Sequence, residues 1–198
     1  MRSKFAFLVM LAILSTTTFA QDSSGLNFKA LGNLKLQHMN FGSKGDAVDD
    51  RKLNGIGVEA LLGFNWNIFI AGLGGEYNLI YQQTDKKDVD NTNLGGTLIN
   101  YSAAAGVALG DFLLLGKYHF LSEYSLRKKN PAGDEVIFQD PDFSYTLSLL
   151  YRTEGSSFWA LNYTSITYAE ASIAGKDGSL DSEKMHLTSF GLSYGHMF

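Results

Sequence analysis

The stretch LNGIGVEALLGFNW, residues 53–66, changes character at every step. Ile56, Val58, Ala60, Leu62, Phe64 and Trp66 take the even positions, and Gly57, Glu59, Leu61, Gly63 and Asn65 the odd ones. Side chains of an extended strand point alternately to its two faces, so this repeat of two separates an apolar face from one carrying Glu59. The next stretch behaves alike: Phe69, Ala71, Leu73, Tyr77, Leu79 and Tyr81 share one face, and Gly72, Gly74, Glu76 and Asn78 the other. Little more than Asn65–Asn67 separates the two, which predicts an antiparallel hairpin with a tight turn.

Working outward, the same alternation predicts eight strands, near 26–41, 53–65, 68–83, 94–109, 112–126, 142–152, 158–172 and 184–198. Short connections fall near Asn65–Asn67, Gly110-Asp111 and Thr153–Ser157. Long ones fall near Gly42–Lys52, Thr84–Asn93, Arg127–Pro141 and Ile173–Glu183. Strict alternation of long and short connections is the layout of a transmembrane β-barrel, with tight periplasmic turns and longer outer loops.

Charge placement tests this independently. After residue 20 the chain has 34 charged residues, of which 23 lie in or beside the four long connections. Eight are assigned to strands: Lys29, Lys35, Glu59, Glu76, Lys117, Glu123, Arg152 and Glu170. All eight fall on the face opposite the apolar stripe. A charge facing lipid at the midplane costs about 2–4 kcal/mol, so the uncharged Leu/Phe/Tyr face is the exterior. A soluble barrel of the lipocalin kind would have the reverse arrangement. Trp66, Phe112, Tyr151 and Trp159 lie beside short turns, as a periplasmic-side aromatic girdle would, and Phe69 and Phe198 join them. Tyr81, Tyr101, Phe120, Tyr124 and Phe143 approach the other rim.

The amino terminus sets the compartment. Arg2 and Lys4 precede ten apolar residues, Phe5–Leu14, and Thr18-Phe19-Ala20 closes the segment. Ten residues cannot span about 30 Å of hydrocarbon as a helix, so residues 1–20 read as a cleaved secretory signal and 21–198 as the barrel domain. Without the signal, 14 basic residues face 20 acidic ones, and no basic run exceeds Arg127-Lys128-Lys129, which argues against a nucleic-acid partner. With no cysteine there is no disulfide framework, thiolate metal site or lipid-modified cysteine.

The chain ends FGLSYGHMF, residues 190–198. This stretch resembles the closing strand of small bacterial outer-membrane barrels of the OmpA/OmpX type, and the strand count and loop layout resemble them too. The resemblance implies a barrel closed by pairing first strand with last, in the bacterial outer membrane. It also implies an assembly signal in Phe190, Leu192, Tyr194 and Phe198 that the barrel assembly machinery reads. His196 departs from the usual aromatic or apolar residue. With five residues before the first strand and none after the last, no periplasmic domain is expected.

An eight-stranded barrel has an interior that its own side chains can fill. Centring the first long loop near residue 47 places Lys35 opposite Glu59; Glu76 faces Asn100, and Lys117 lies near Arg152 toward the periplasmic end. With His119 these form the expected lumen network: Lys35, Glu59, Glu76, Asn100, Lys117, His119 and Arg152. Leu31, Leu61, Ile70, Leu98, Leu113, Leu115, Leu121, Leu150, Phe158 and Met197 also point inward on this frame. His38 and His186 fall near the outer rim on adjacent strands, facing outward. No nucleophile–base or metal motif is legible, so no catalytic residue, cofactor or metal is assigned. The reading is a non-enzymatic barrel in contact with the bilayer and lipopolysaccharide, with a plugged lumen and a structural or surface-interaction role. Residues 127–141 are the loop chosen for a surface partner, because Val136-Ile137-Phe138 can extend it as a ribbon. The alternatives are a narrow channel or apolar-ligand conduit and, further off, a lipid-modifying enzyme using His119 or His38.

Overall fold

A computed structural model of the chain describes residues 27–43, 51–82, 95–126, 136–153, 155–173, 176–179 and 184–198. Residues 1–20, expected to be a signal, and most of the four long connections lie outside the described residues. Strands form where the alternation is: β1 Asn27–Ser43, β2 Arg51–Trp66, β3 Phe69–Gln82, β4 Gly96–Leu109, β5 Phe112–Leu126, β6 Val136–Arg152, β7 Ser157–Ile173, β8 Lys176–Ser179 and β9 Met185–Met197. Each of β1 to β7 pairs antiparallel with the next, and β9 pairs with both β7 and β1. The sheet is therefore a closed eight-stranded barrel. Closure reaches the last residue, because Phe198 N donates to Ala30 O at 2.8 Å. The short turns carry Asn67, Gly110 and Gly155 at positive φ, the conformation tight hairpin turns require.

The strands are longer than the alternation predicted where loops were expected. β6 begins at Val136 rather than near 142 and pairs with both neighbours there, through Ser125↔Ile137 and Val136↔Ile173. Part of the 127–141 loop is thus strand, and residues 127–135 lie outside the described residues. β8, in the last long connection, pairs with the outer end of β7 through Glu170↔Ser179 and Ile173↔Lys176.

The exterior is apolar over the middle of the strands, with Leu34, Leu36, Leu73, Leu114, Leu147 and Leu161 all exposed. Inside, side chains form three layers. A lower apolar cluster, nearest the short turns, contains Leu31, Leu61, Leu113, Leu115, Leu150 and Phe158. An upper one is built on Phe41, whose ring meets Tyr124 edge-on at 5.2 Å and Phe138 at 5.2 Å. Polar side chains fill the space between.

A bulge in β5 corrects the face assignment. Ser102 pairs with His119 and Tyr101 with Leu121, so Phe120 is an extra residue in β5. Beyond it the faces exchange: Leu121 is exposed, Ser122 and Tyr124 are buried, and Glu123 is on the outer face with its partner Ile99. Leu121 therefore does not line the lumen, and Tyr124 belongs to the upper core rather than to an outer girdle. In β7, Tyr168, Ala171 and Ser172 are all buried, so the alternation lapses there, and Glu170, opposite Gln139, is half-buried. Of the eight strand charges, six keep the inner face.

Candidate functional site in the barrel interior

Four of those six are deeply buried and form two ion pairs that span the lumen. Lys35 Nζ donates to Glu76 Oε1 at 2.7 Å, with both side chains at most 5% exposed. Lys117 Nζ donates to Glu59 Oε1, again with both buried. Glu59 and Glu76 are cross-strand neighbours, so two carboxylates stand side by side and a lysine approaches each from a different wall, β1 or β5. Like charges placed directly opposite repel, and the two lysines offset that. The quartet carries no net charge.

Lys35 faces Gly57 rather than Glu59, whose β1 partner is Asn33. The expected Lys35–Glu59 pair is thus replaced by Lys35–Glu76, which passes over β2. Gly57 makes the passage possible. It lies between Lys35 and Asn78 in the two ladders, and a Cβ there would stand 2.0 Å from Asn78 Oδ1. The missing side chain is the space through which β1 and β3 meet.

Hydrogen bonds extend the quartet to neighbouring walls, and separate chains line the far side. Glu76 accepts from Asn78 Nδ2 at 3.0 Å and from Asn100 Nδ2 at 3.4 Å, and Glu59 from Asn33 Nδ2 at 3.1 Å. Ser122 Oγ donates to Asn100 Oδ1 at 2.7 Å and lies 3.0 Å from the Tyr168 hydroxyl, which ties the network to the upper core. Gln37 Nε2 donates to Asn78 Oδ1 at 2.8 Å. On the far wall His119 Nε2 meets Thr146 Oγ1 at 2.8 Å, and Thr146 meets Thr164 at 2.7 Å. Ser148, Asn162 and Ser193 form a second chain at 2.7 and 2.9 Å. A void of about 10 Å³ lies beside Glu59 and Lys117, room for roughly one water.

Arg152 does not join this network. It is exposed at the periplasmic mouth, where with Lys29, Leu31, Leu61, Ile70 and Met197 it lines a recess of about 140 Å³. Lys117 pairs with Thr146, well up the wall, and Arg152 with Phe158 near its foot, so the expected Lys117–Arg152 proximity is corrected. Alternation predicts a shared face; height along the strand separates the two.

The other sequence-selected residues lie on the outer surface. Trp66, Phe112, Tyr151 and Trp159 are exposed at the short-turn end, with Phe112 against Tyr151 at 5.1 Å and Trp159 against Tyr194 at 4.9 Å. Phe190, Leu192 and Tyr194 are exposed along β9, and Phe198 just past its end. His38 bonds Asn54 at 2.9 Å and His186 meets Thr167 at 2.9 Å. His186 pairs with Gly42 and His38 with Phe190, so the two rings are offset along the seam rather than side by side. Among the described residues, no group of three or more His, Asp or Glu is arranged to hold a metal.

No protein-family model matches the chain, and comparison with curated proteins finds no match either. Solved structures do resemble it. Ail of Yersinia pestis, in complex with the heparin analogue sucrose octasulfate, is 16% identical over 86% of this chain and 99% of that one, with a TM-score of 0.50. An outer membrane channel from Pseudomonas putida F1 is 12% identical over 92% and 100%, with a TM-score of 0.34. The outer membrane protease OmpT from Escherichia coli is 12% identical over 93% and 99%, with a TM-score of 0.35. The likeness to Ail is one of fold: this chain is an all-β, closed eight-stranded antiparallel barrel of the bacterial outer-membrane kind.

Proposed function

We propose that the protein is a non-enzymatic outer-membrane barrel whose interior serves stability and whose contacts are made by its outer surface and loops. The filled lumen carries this reading: two apolar clusters enclose a neutral, hydrogen-bonded ion quartet. Lys35, Glu59, Glu76, Asn100, Lys117 and His119 are structural members of that plug. The bilayer and lipopolysaccharide surround the exterior, with the girdle residues at its periplasmic margin. Residues 1–20 direct export, and Phe190, Leu192, Tyr194 and Phe198 are read by the assembly machinery. The 127–141 loop, whose last residues already extend β6, is the proposed contact for a surface partner.

The test is single-molecule conductance of the purified, refolded barrel in a planar bilayer. The expected trace is silent in the native chain. Reproducible unit openings that change in Glu59→Gln or Lys117→Met would replace the plugged reading with a channel. The adjacency of Glu59 and Glu76 supports that alternative, because a lysine exchanging between them would open the polar layer.

A further inference from the structure

The β5–β6 ladder is broken inside the barrel wall. It runs from Phe112↔Tyr151 to Tyr118↔Tyr145, stops, and resumes at Tyr124↔Phe138. No rung joins residues 119–123 to residues 139–144. Irregularities on both strands produce the break. On β5 it is the Phe120 bulge. On β6 it is Asp140, at φ 48°, followed by Pro141, which has no N–H to give, and by Asp142, extra between the pairs Pro141↔Tyr168 and Phe143↔Thr167. In hydrocarbon unpaired backbone groups are costly, so an irregular ladder is a weak place in the wall.

His119 and Ser144 occupy the first missing rung. Both are buried, at 1% and 0% exposure. His119 Nδ1 and Ser144 Oγ each have no hydrogen-bond partner among the described residues. Outside the same break Phe120, Leu121 and Phe143 are exposed. His119 is seven residues along β5 from Phe112. At about 3.3 Å per residue and a tilt near 40°, it stands roughly 18 Å above the inner rim of an apolar band about 25 Å tall. The break therefore lies at the level of the outer leaflet.

We propose that this break is a lateral entry seam for a single-chain amphiphile with a small carboxyl or hydroxyl head. The head bonds His119 Nδ1 and Ser144 Oγ, and the chain lies against Phe120, Leu121 and Phe143. Among the described residues the buried lysines already pair with glutamates, so the seam holds no spare buried counter-ion for a phosphate. Because His119 Nδ1 and Ser144 Oγ are both buried, the head enters only where β5 and β6 part, and one chain needs a narrower parting than a diacyl lipid.

The full chain, refolded in phosphatidylcholine nanodiscs, is photolabelled with hexadecanoic acid bearing a diazirine on its tail, and adducts are mapped by mass spectrometry. Labelling is expected to concentrate in residues 119–123 and 139–144. Ser144→Ala should lower it about five-fold, the worth of one hydrogen bond. Because the chain has no cysteine, a Phe120→Cys/Phe143→Cys variant can be closed by oxidation and reopened by reduction, and labelling should vanish and return with it. Where oxidation leaves the thiols free, Ser144→Ala decides alone. Adducts spread along the apolar belt in proportion to exposure, or labelling unchanged by Ser144→Ala, would overturn the seam. Equal labelling by a diacyl phospholipid with the same diazirine would overturn the single-chain assignment.

Discussion

Replacing Glu76 by glutamine removes one charge from the quartet and leaves the shape of the site nearly intact. Glu76 is 5% exposed, holds Lys35 at 2.7 Å, and accepts from Asn78 and Asn100. Breaking a buried pair by removing one partner costs about 3–5 kcal/mol, because the other charge stays buried without compensation. The glutamine oxygen still accepts from Lys35, so the lower figure of about 3 kcal/mol applies to Glu76→Gln, roughly a hundred-fold in the folding equilibrium. The double variant Lys35→Met/Glu76→Leu removes both charges and leaves only the two asparagine amides short of an acceptor, one of them at a long 3.4 Å, at about 1 kcal/mol each and about 2 kcal/mol together. The double variant should therefore be more stable than the single one. Urea titration in detergent micelles, followed by emission of Trp66 and Trp159 at the inner rim, measures both. A double variant as unstable as the single one, or a single variant within about 0.5 kcal/mol of the native chain, would refute the view that the uncompensated charge dominates.

Gly57→Ala puts a Cβ where Asn78 Oδ1 now stands and should cost about 1–3 kcal/mol in the same titration, with Gly55→Ala, which meets only the flexible Gln37 side chain, costing less. Leu147→Arg, on the outer face near mid-height of β6, should destabilise by about 2–4 kcal/mol, whereas Ser148→Ala beside it, facing the lumen, should cost about 1 kcal/mol. Phe198→Ala should leave refolding in micelles almost unchanged and reduce the amount of barrel that reaches the outer membrane in cells, read as heat-modifiable mobility in membrane fractions. Equal losses in micelles and cells would assign Phe198 to stability rather than to assembly.

The strands and the closed barrel were legible because alternation carries both the extended conformation and the face. What alternation does not carry is register. Lys35 faces Gly57, which centres the first hairpin on residue 46; centring it one residue later shifts every partner by two and turns Gly57 into Glu59. Nor does alternation carry reach. The Lys35–Glu76 pair skips a strand, and its only trace in the sequence is a glycine where the intervening side chain would stand. Bulges are hidden for a related reason. Phe120-Leu121 in β5 reads as two more apolar residues, yet the extra one exchanges the faces of everything after it and moves Glu123 outward and Tyr124 inward. Arg152 was assigned the correct face but the wrong layer, since parity says nothing about height.

The filled lumen and the broken β5–β6 ladder constrain each other. Movement along the axis must disturb the ion quartet and both apolar clusters, so substitutions at Glu59 or Lys117 report on that route. Movement through the wall meets His119, Ser144 and the lips Phe120, Leu121 and Phe143, above the quartet and below the Phe41 cluster. The two routes share no charged residue, so Glu59→Gln should leave seam labelling unchanged, and closing the Phe120→Cys/Phe143→Cys pair should leave axial conductance unchanged. A variant that moved both readouts together would mean that wall and plug open as one unit, and that the His119–Thr146–Thr164 hydrogen bonds couple them.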